Sequence, residues 1–203
     1  FVDAATSHDD IGLQDLRRKP MSVYVDIPPR KLADAAVVLN LFFSQAINLN
    51  TGKLPEEDPS LKHQLLLVLD EFTAMGRVGA LAKGISYIAG YNVRVLTVIQ
   101  AMSQLDSTYG KDDARTFATN HALQIMYAPR EQRDANEYSE ALGTFTQKEE
   151  SRGRSVNHGA KGGASTSRNE SSQRRALLLP QEFKELGTDR QVVMLENCKP
   201  ILA

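Results

Sequence analysis

The chain has 203 residues, 41% apolar and 24% charged, which excludes a disordered tail and suits one globular domain with a sizeable core. Lysine plus arginine (24) nearly balances aspartate plus glutamate (25), so a net charge of −1 provides no whole-chain field for nucleic acid or membranes, and any such surface is local. One cysteine, Cys198, and four scattered histidines exclude a disulfide framework and show no metal-ligand spacing, so a reducing, cytoplasmic setting is expected.

The opening FVDAATSHDD has neither a methionine nor the regions of a signal peptide, and the expectation is a piece of a longer protein. No apolar run reaches the roughly 20 residues that span a bilayer. MSVYVDIPP, from Met21 to Pro29, reads as a β-branched strand stopped by two prolines. From Arg30 to Asn50 the apolar residues Leu32, Ala35, Ala36, Leu39, Phe42, Phe43, Ala46 and Ile47 follow a helical period, with Gly52 just past the end. QLLLVLDEF then reads as a buried strand, GRVGALAKGISYIAG as a helix, and NVRVLTVIQ as a second buried strand. DDARTFATN is expected as a short helix, ALQIMYA as a strand, and REQRDANEYSEALG as a helix. Strands alternating with helices imply an α/β domain with a mainly parallel sheet flanked by helices.

Residues 146–175 differ in character. TQKEESRGRSVNHGAKGGASTSRNESSQRR is rich in glycine and serine, holds seven basic and three acidic side chains, and is expected as a flexible basic loop within the domain. Beyond it, LLLPQEFKEL suggests a short helix from Pro180, and RQVVMLENCKPILA suggests two short strands around a turn.

The chemistry concentrates where the first apolar run ends in Asp70 and Glu71. In open parallel sheets ligands bind at the carboxyl ends of strands. Buried carboxylates there call for a cation or donors. An aspartate orienting magnesium and a glutamate polarising water is the arrangement nucleotide hydrolysis needs, a Walker B pattern. The competing reading makes Asp70 the cap of the helix that follows. VLTVIQ ends in Gln100, whose amide lies beside the acidic pair if the two strands are neighbours, and otherwise is a polar strand end in solvent. A phosphate-cradling G-x-x-x-x-G-K-[ST] loop is absent: NTGKL has Leu54 where a hydroxyl belongs, and GAKGGAST lacks the Gly-Lys pair.

LLLVLDEFTAMGRVGALAKGISYIAGYNVRVLTVIQAMSQL, from Leu65 to Leu105, closely resembles the Walker B to motif III region of the TraG/TraD-type coupling proteins of type IV secretion. RRKPMSVYVDIPPRKLADAAVVLNLFF and LLLPQEFKELGTDRQVVMLENCKPILA extend the likeness over nearly the whole chain. The resemblance implies that residues 1–203 are the C-terminal portion of a RecA/FtsK-like nucleotide-binding domain, lacking the Walker A half. It implies a homo-hexameric, DNA-dependent ATPase that uses ATP and Mg2+ to deliver relaxase-bound single- or double-stranded DNA to the secretion channel. Relaxosome proteins and channel components are the implied partners. The implied location is the bacterial inner membrane through N-terminal helices, with this portion on the cytoplasmic side. By position, Asp70 and Glu71 match Walker B, with Asp70 holding magnesium through water, and Gln100 matches the motif III glutamine. Where some relatives carry an arginine finger this chain has Ala89, which leaves Arg94 and Arg130 as candidates. Lys161, Arg168, Arg174 and Arg175 are candidate DNA contacts, although no aromatic residue is interleaved there to stack bases. Without Walker A the isolated chain is expected not to hydrolyse ATP. The alternative is a DNA- or protein-binding adaptor that keeps the fold without the chemistry.

Overall fold

The computed structural model describes the backbone of residues 7–8, 11–156 and 164–203, and their side chains apart from 29 and 149–170. The chain divides into two compact units, 1–121 and 122–203.

In the first unit, helix α1 (Leu32–Asn50) buries Ala35, Leu39, Ala46 and Ile47, the stripe set by its period. It is closed from outside itself: Arg17 Nη1 donates to the Asn50 carbonyl at 2.8 Å, and Asn50 Nδ2 donates to Ala46 and Leu13 carbonyls at 2.8 and 2.9 Å. A cation on the terminal carbonyl satisfies an orphan acceptor and complements the helix dipole. Arg17 is fully buried, and desolvation is the main cause that lowers its pKa. By length and composition α1 is apolar enough to cross a membrane; Ala35, Leu39, Ala46 and Ile47 are buried in the first unit, while Val37, Leu41 and Leu49 are exposed.

Strands β1 (Leu65–Leu69) and β2 (Val93–Thr97) pair in parallel, Leu65 opposite Val93 and Leu69 opposite Thr97. Helices α2 (Gly79–Gly84), α3 (Met102–Tyr109) and α4 (Lys111–Thr119) complete the unit. Leu65, Leu67 and Leu69 enter the core with Leu39, Ile47 and Leu81. Phe72 lies at its centre, stacked on Tyr109 at 5.2 Å and on Phe117 at 4.9 Å.

Several expectations change in this unit. Met21–Pro28 forms no strand, and Tyr24 is 91% exposed, because no strand among the described residues pairs with it. β1 is not buried on both faces: Leu66 and Val68 are 55% and 58% exposed, since only one face of the pair is covered. The helix read over GRVGALAKGISYIAG shortens to α2 and a 3-10 turn at Ile88–Tyr91. Sequence reading missed α3, although Leu105 and Tyr109, four apart and both buried, carried its signal.

In the second unit, β3 (Leu123–Met126) pairs antiparallel with β6 (Val192–Leu195), which pairs antiparallel with β7 (Ile201–Leu202). The third strand expected to continue the parallel alternation therefore belongs to a separate sheet. Helices α5 (Gln132–Leu142) and α6 (Pro180–Lys184) accompany it, and Met126, Phe183, Leu186 and Val192 form the core. Burial, with Asp134 and Glu137 nearby, pushes the Tyr138 hydroxyl up to about 12. The segment expected as a loop contributes most of a two-stranded antiparallel hairpin, β4 (Thr144–Val156) with β5 (Ala164–Ala176).

Candidate functional site

The site forms where β1 and β2 end side by side. Their parallel ladder continues past the strands: Val98 N–H donates to the Leu69 carbonyl at 3.0 Å, and Phe72 N–H to the Val98 carbonyl at 3.2 Å. Asp70 and Glu71 are thus held between a paired strand and a phenylalanine anchored in the core. Glu71 adopts left-handed backbone, φ 47 and ψ 45, which a non-glycine residue accepts only where the surroundings hold it there. The turn after it, Phe72–Met75, has no side-chain cap. Asp70 Oδ1 instead accepts the N–H of Glu71 at 3.0 Å, so Asp70 is not the helix cap of the competing reading.

Gln100 reaches this tip. Its Nε2 donates to Glu71 Oε1 at 2.8 Å, which the parallel pairing of β1 and β2 makes possible. A second link runs beside it, the Thr73 hydroxyl donating to Gln104 Oε1 at 3.4 Å. Thr73 and Gln104, which sequence reading passed over, line a cleft of about 400 Å3 with Glu71, Ser103, Ser107 and Thr108. On α3 the four polar residues fall at 103, 104, 107 and 108, the spacing of one helix face, which was the available signal.

Both carboxylates are exposed, so burial does not force them to seek a cation. What favours a cation is the donor chemistry: carboxylate, amide and hydroxyl oxygens are hard ligands suited to magnesium. Among the described residues no group of three or more His, Cys, Asp or Glu could hold a metal alone.

The arginines divide. Arg94, one residue into β2 and so at the opposite end of that strand from Gln100, donates through Nη1 to the carbonyls of Ala89 and Val93 at 2.7 and 3.3 Å. Arg130 is exposed on the loop before α5 in the second unit. Arg174 Nε donates to Thr144 Oγ1 at 2.8 Å, and Arg175 pairs with Glu182 at 2.5 Å. Arg168 takes the register position opposite Arg152, and Lys161 lies outside the described residues.

Residues 1–203 match the family described as type IV secretory system conjugative DNA transfer. Protein VirD4 of Rhizobium radiobacter is 30% identical over 201 residues, 99% of this chain and 28% of that protein. Conjugal transfer protein TraG of Escherichia coli is 28% identical over 134 residues, 63% of this chain and 21% of that protein. Bacterial conjugative coupling protein TrwBdeltaN70, in its unbound monoclinic form, aligns with a TM-score of 0.73 and 16% identity, over 96% of this chain and 43% of that one. Plasmid coupling protein TrwB in complex with ADP and Mg2+ aligns at 0.71 and 16%, over 96% and 42%. At that identity the likeness shows the fold, the RecA-like α/β class implied by the sequence. The chain spans less than a third of the length of the VirD4 and TraG relatives.

Proposed function

The chain belongs to the type IV secretory system conjugative DNA transfer family, and on that premise we propose that it is the C-terminal part of a coupling protein's nucleotide-binding domain. The whole protein is then a DNA-dependent ATPase motor that passes a relaxase-bound DNA strand to the secretion channel. It works as a homo-hexamer held at the inner membrane by helices N-terminal to this chain, in contact with relaxosome and channel proteins. The observation that carries this reading is the 2.8 Å bond between Gln100 and Glu71 at the carboxyl ends of two parallel strands.

Magnesium and ATP, when bound, supply the electrophilic phosphorus and the cation that neutralises its oxygens. Asp70, whose Oδ1 accepts the Glu71 N–H, would hold the ion through water. Glu71 orients and polarises the attacking water, and its left-handed backbone sets the direction of its side chain. Gln100 fixes the Glu71 carboxylate and stands ready to contact the terminal phosphate. Arg130, which has no hydrogen bond or ion pair among the described residues, is the better arginine to reach a neighbouring subunit; Arg94 is engaged by its own unit. Alone, the chain lacks the phosphate-cradling loop and does not turn over.

The test is DNA-stimulated ATP hydrolysis by the full-length protein, wild type beside Glu71→Gln. A positioned general base contributes about 10²- to 10⁴-fold, so turnover is expected to fall by at least about 10²-fold with nucleotide binding retained. Equal turnover would remove Glu71 from that role. No hydrolysis by assembled wild-type protein would favour the adaptor.

A further inference from the structure

Two links cross from the end of β1 to the stretch that follows β2. Gln100 Nε2 donates to Glu71 Oε1 at 2.8 Å, and the Thr73 hydroxyl donates to Gln104 Oε1 at 3.4 Å. The two glutamines are four residues apart, and the residues they meet flank Phe72. Gln104 is the third residue of α3, a place where a glutamine can reach back to the N–H that precedes the helix. Among the described residues its side chain bonds instead to Thr73. The helix that carries it is anchored. Leu105 and Tyr109 are buried, and the Thr108 hydroxyl donates to the Gln104 carbonyl at 3.0 Å.

Thr73 belongs to the turn that begins at Glu71. Ala74 N–H donates to the Glu71 carbonyl at 2.8 Å, and Gly76 N–H to the Thr73 carbonyl at 3.2 Å. For a residue with a Cβ, left-handed backbone of the kind Glu71 adopts is disfavoured about 5- to 150-fold. Contacts beyond the residue must therefore hold it. The Phe72 N–H bonds to the Val98 carbonyl, and the Phe72 ring stacks on Tyr109 and Phe117. Both fix Phe72 toward the core. The Thr73 hydroxyl on Gln104 restrains the next residue, in the cleft that both line with Glu71.

Resting on the coupling-protein reading, in which Glu71 polarises water, we propose that Gln104 is a positioning residue for Glu71 that acts through the Thr73 hydroxyl. It keeps the turn, and with it the Glu71 carboxylate, in the direction that Gln100 also holds. Without the link Glu71 relaxes toward ordinary backbone. The fraction of sites with the carboxylate in place then falls, while the contacts that bind nucleotide stay as they are. A neutral hydrogen bond corresponds to about a 2- to 10-fold change in such a balance.

The test uses the full-length protein and two readouts. In DNA-stimulated ATP hydrolysis, Gln104→Ala and Thr73→Val are each expected to lower kcat about 2- to 10-fold with KM for ATP unchanged. Thr73→Ser keeps the hydroxyl and is expected to keep kcat. Alanine is a better helix former than glutamine, so the loss does not come from melting α3. Thr73→Val combined with Gln104→Ala is expected to lose no more than the larger single loss, because both remove the same link. Losses that multiply would overturn the inference, as would wild-type kcat in either single variant or a change confined to KM. The second readout is hydrogen–deuterium exchange at the Ala74 and Gly76 amides without nucleotide. Gln104→Ala is expected to speed it about 2- to 10-fold, with the Ala46 amide of α1 unchanged as the check on folding. If Ala46 also changes, the comparison is made on Thr73→Val. Unchanged exchange at both turn amides would overturn the inference whatever the turnover. Exchange needs no hydrolysis, so the two readings separate. Faster turn exchange in a protein whose wild type does not hydrolyse ATP refutes the motor alone, and wild-type hydrolysis by Gln104→Ala refutes this inference alone.

Discussion

Phe72 joins the acidic pair to the core, and replacing it measures how firmly. Its ring is fully buried and lies nearly parallel, at 21°, to both Tyr109 and Phe117, with centroids 5.2 and 4.9 Å away. Phe72→Leu keeps an apolar side chain in place but loses both stacked contacts, each worth about 0.5–1.5 kcal/mol beyond area burial. With a small residual cavity the expected cost is about 2 to 3 kcal/mol, and Phe72→Ala is expected to cost about 3 to 5 kcal/mol. The assay is equilibrium urea unfolding of the chain by near-ultraviolet circular dichroism, which reports the ordered tyrosines of a chain without tryptophan. At a slope of about 2 kcal/mol per molar urea, Phe72→Leu is expected to lower the midpoint of the first unit's transition by about 1 M. A shift below about 0.3 M at an unchanged slope would refute the claim that this stack holds the strand tip.

Two further outcomes follow from backbone and charge. Gly110, between α3 and α4, has φ +81 and ψ 156, with open space where a Cβ would stand. Gly110→Ala is therefore expected to destabilise through conformation alone, by about 1 to 3 kcal/mol, whereas Gly79→Ala, with the same open space and no positive φ, is expected to cost nothing measurable in the same urea assay. Glu182 accepts the Leu179 N–H at 2.7 Å and pairs with Arg175; these contacts, the backbone bond foremost, hold its carboxyl below the usual range. A carboxylate whose folded pKa is depressed stabilises above its unfolded pKa and loses that contribution as pH falls through the folded value. Glu182→Ala is expected to cost about 1 kcal/mol at neutral pH, with the gap from wild type closing below the ordinary glutamate range; an undiminished gap in acid would contradict this linkage.

Much of the site was legible because its signals are local. The helical period of Leu32–Asn50, the apolar run ending in Asp70 and Glu71, and the second run ending in Gln100 each depend on a few consecutive residues. What the chain order could not specify is which strands pair. Strand preference reflects neighbours more than the segment itself, so Met21–Pro28 has the composition of a strand and stays unpaired, while β3 pairs with β6, some 70 residues away in the sequence. Exposure is decided the same way: β1 reads as buried on both faces, yet Leu66 and Val68 face outward because burial depends on what covers a sheet. The charges of residues 146–175 were visible as composition. Only the antiparallel register showed that the segment's two arms pair with each other, because pairing is not contained in either arm alone. Sequence therefore determined the residues available for chemistry. Long-range pairing, which forms through contacts no short window contains, decided that Gln100 meets Glu71 and that Arg175 turns away from Arg174.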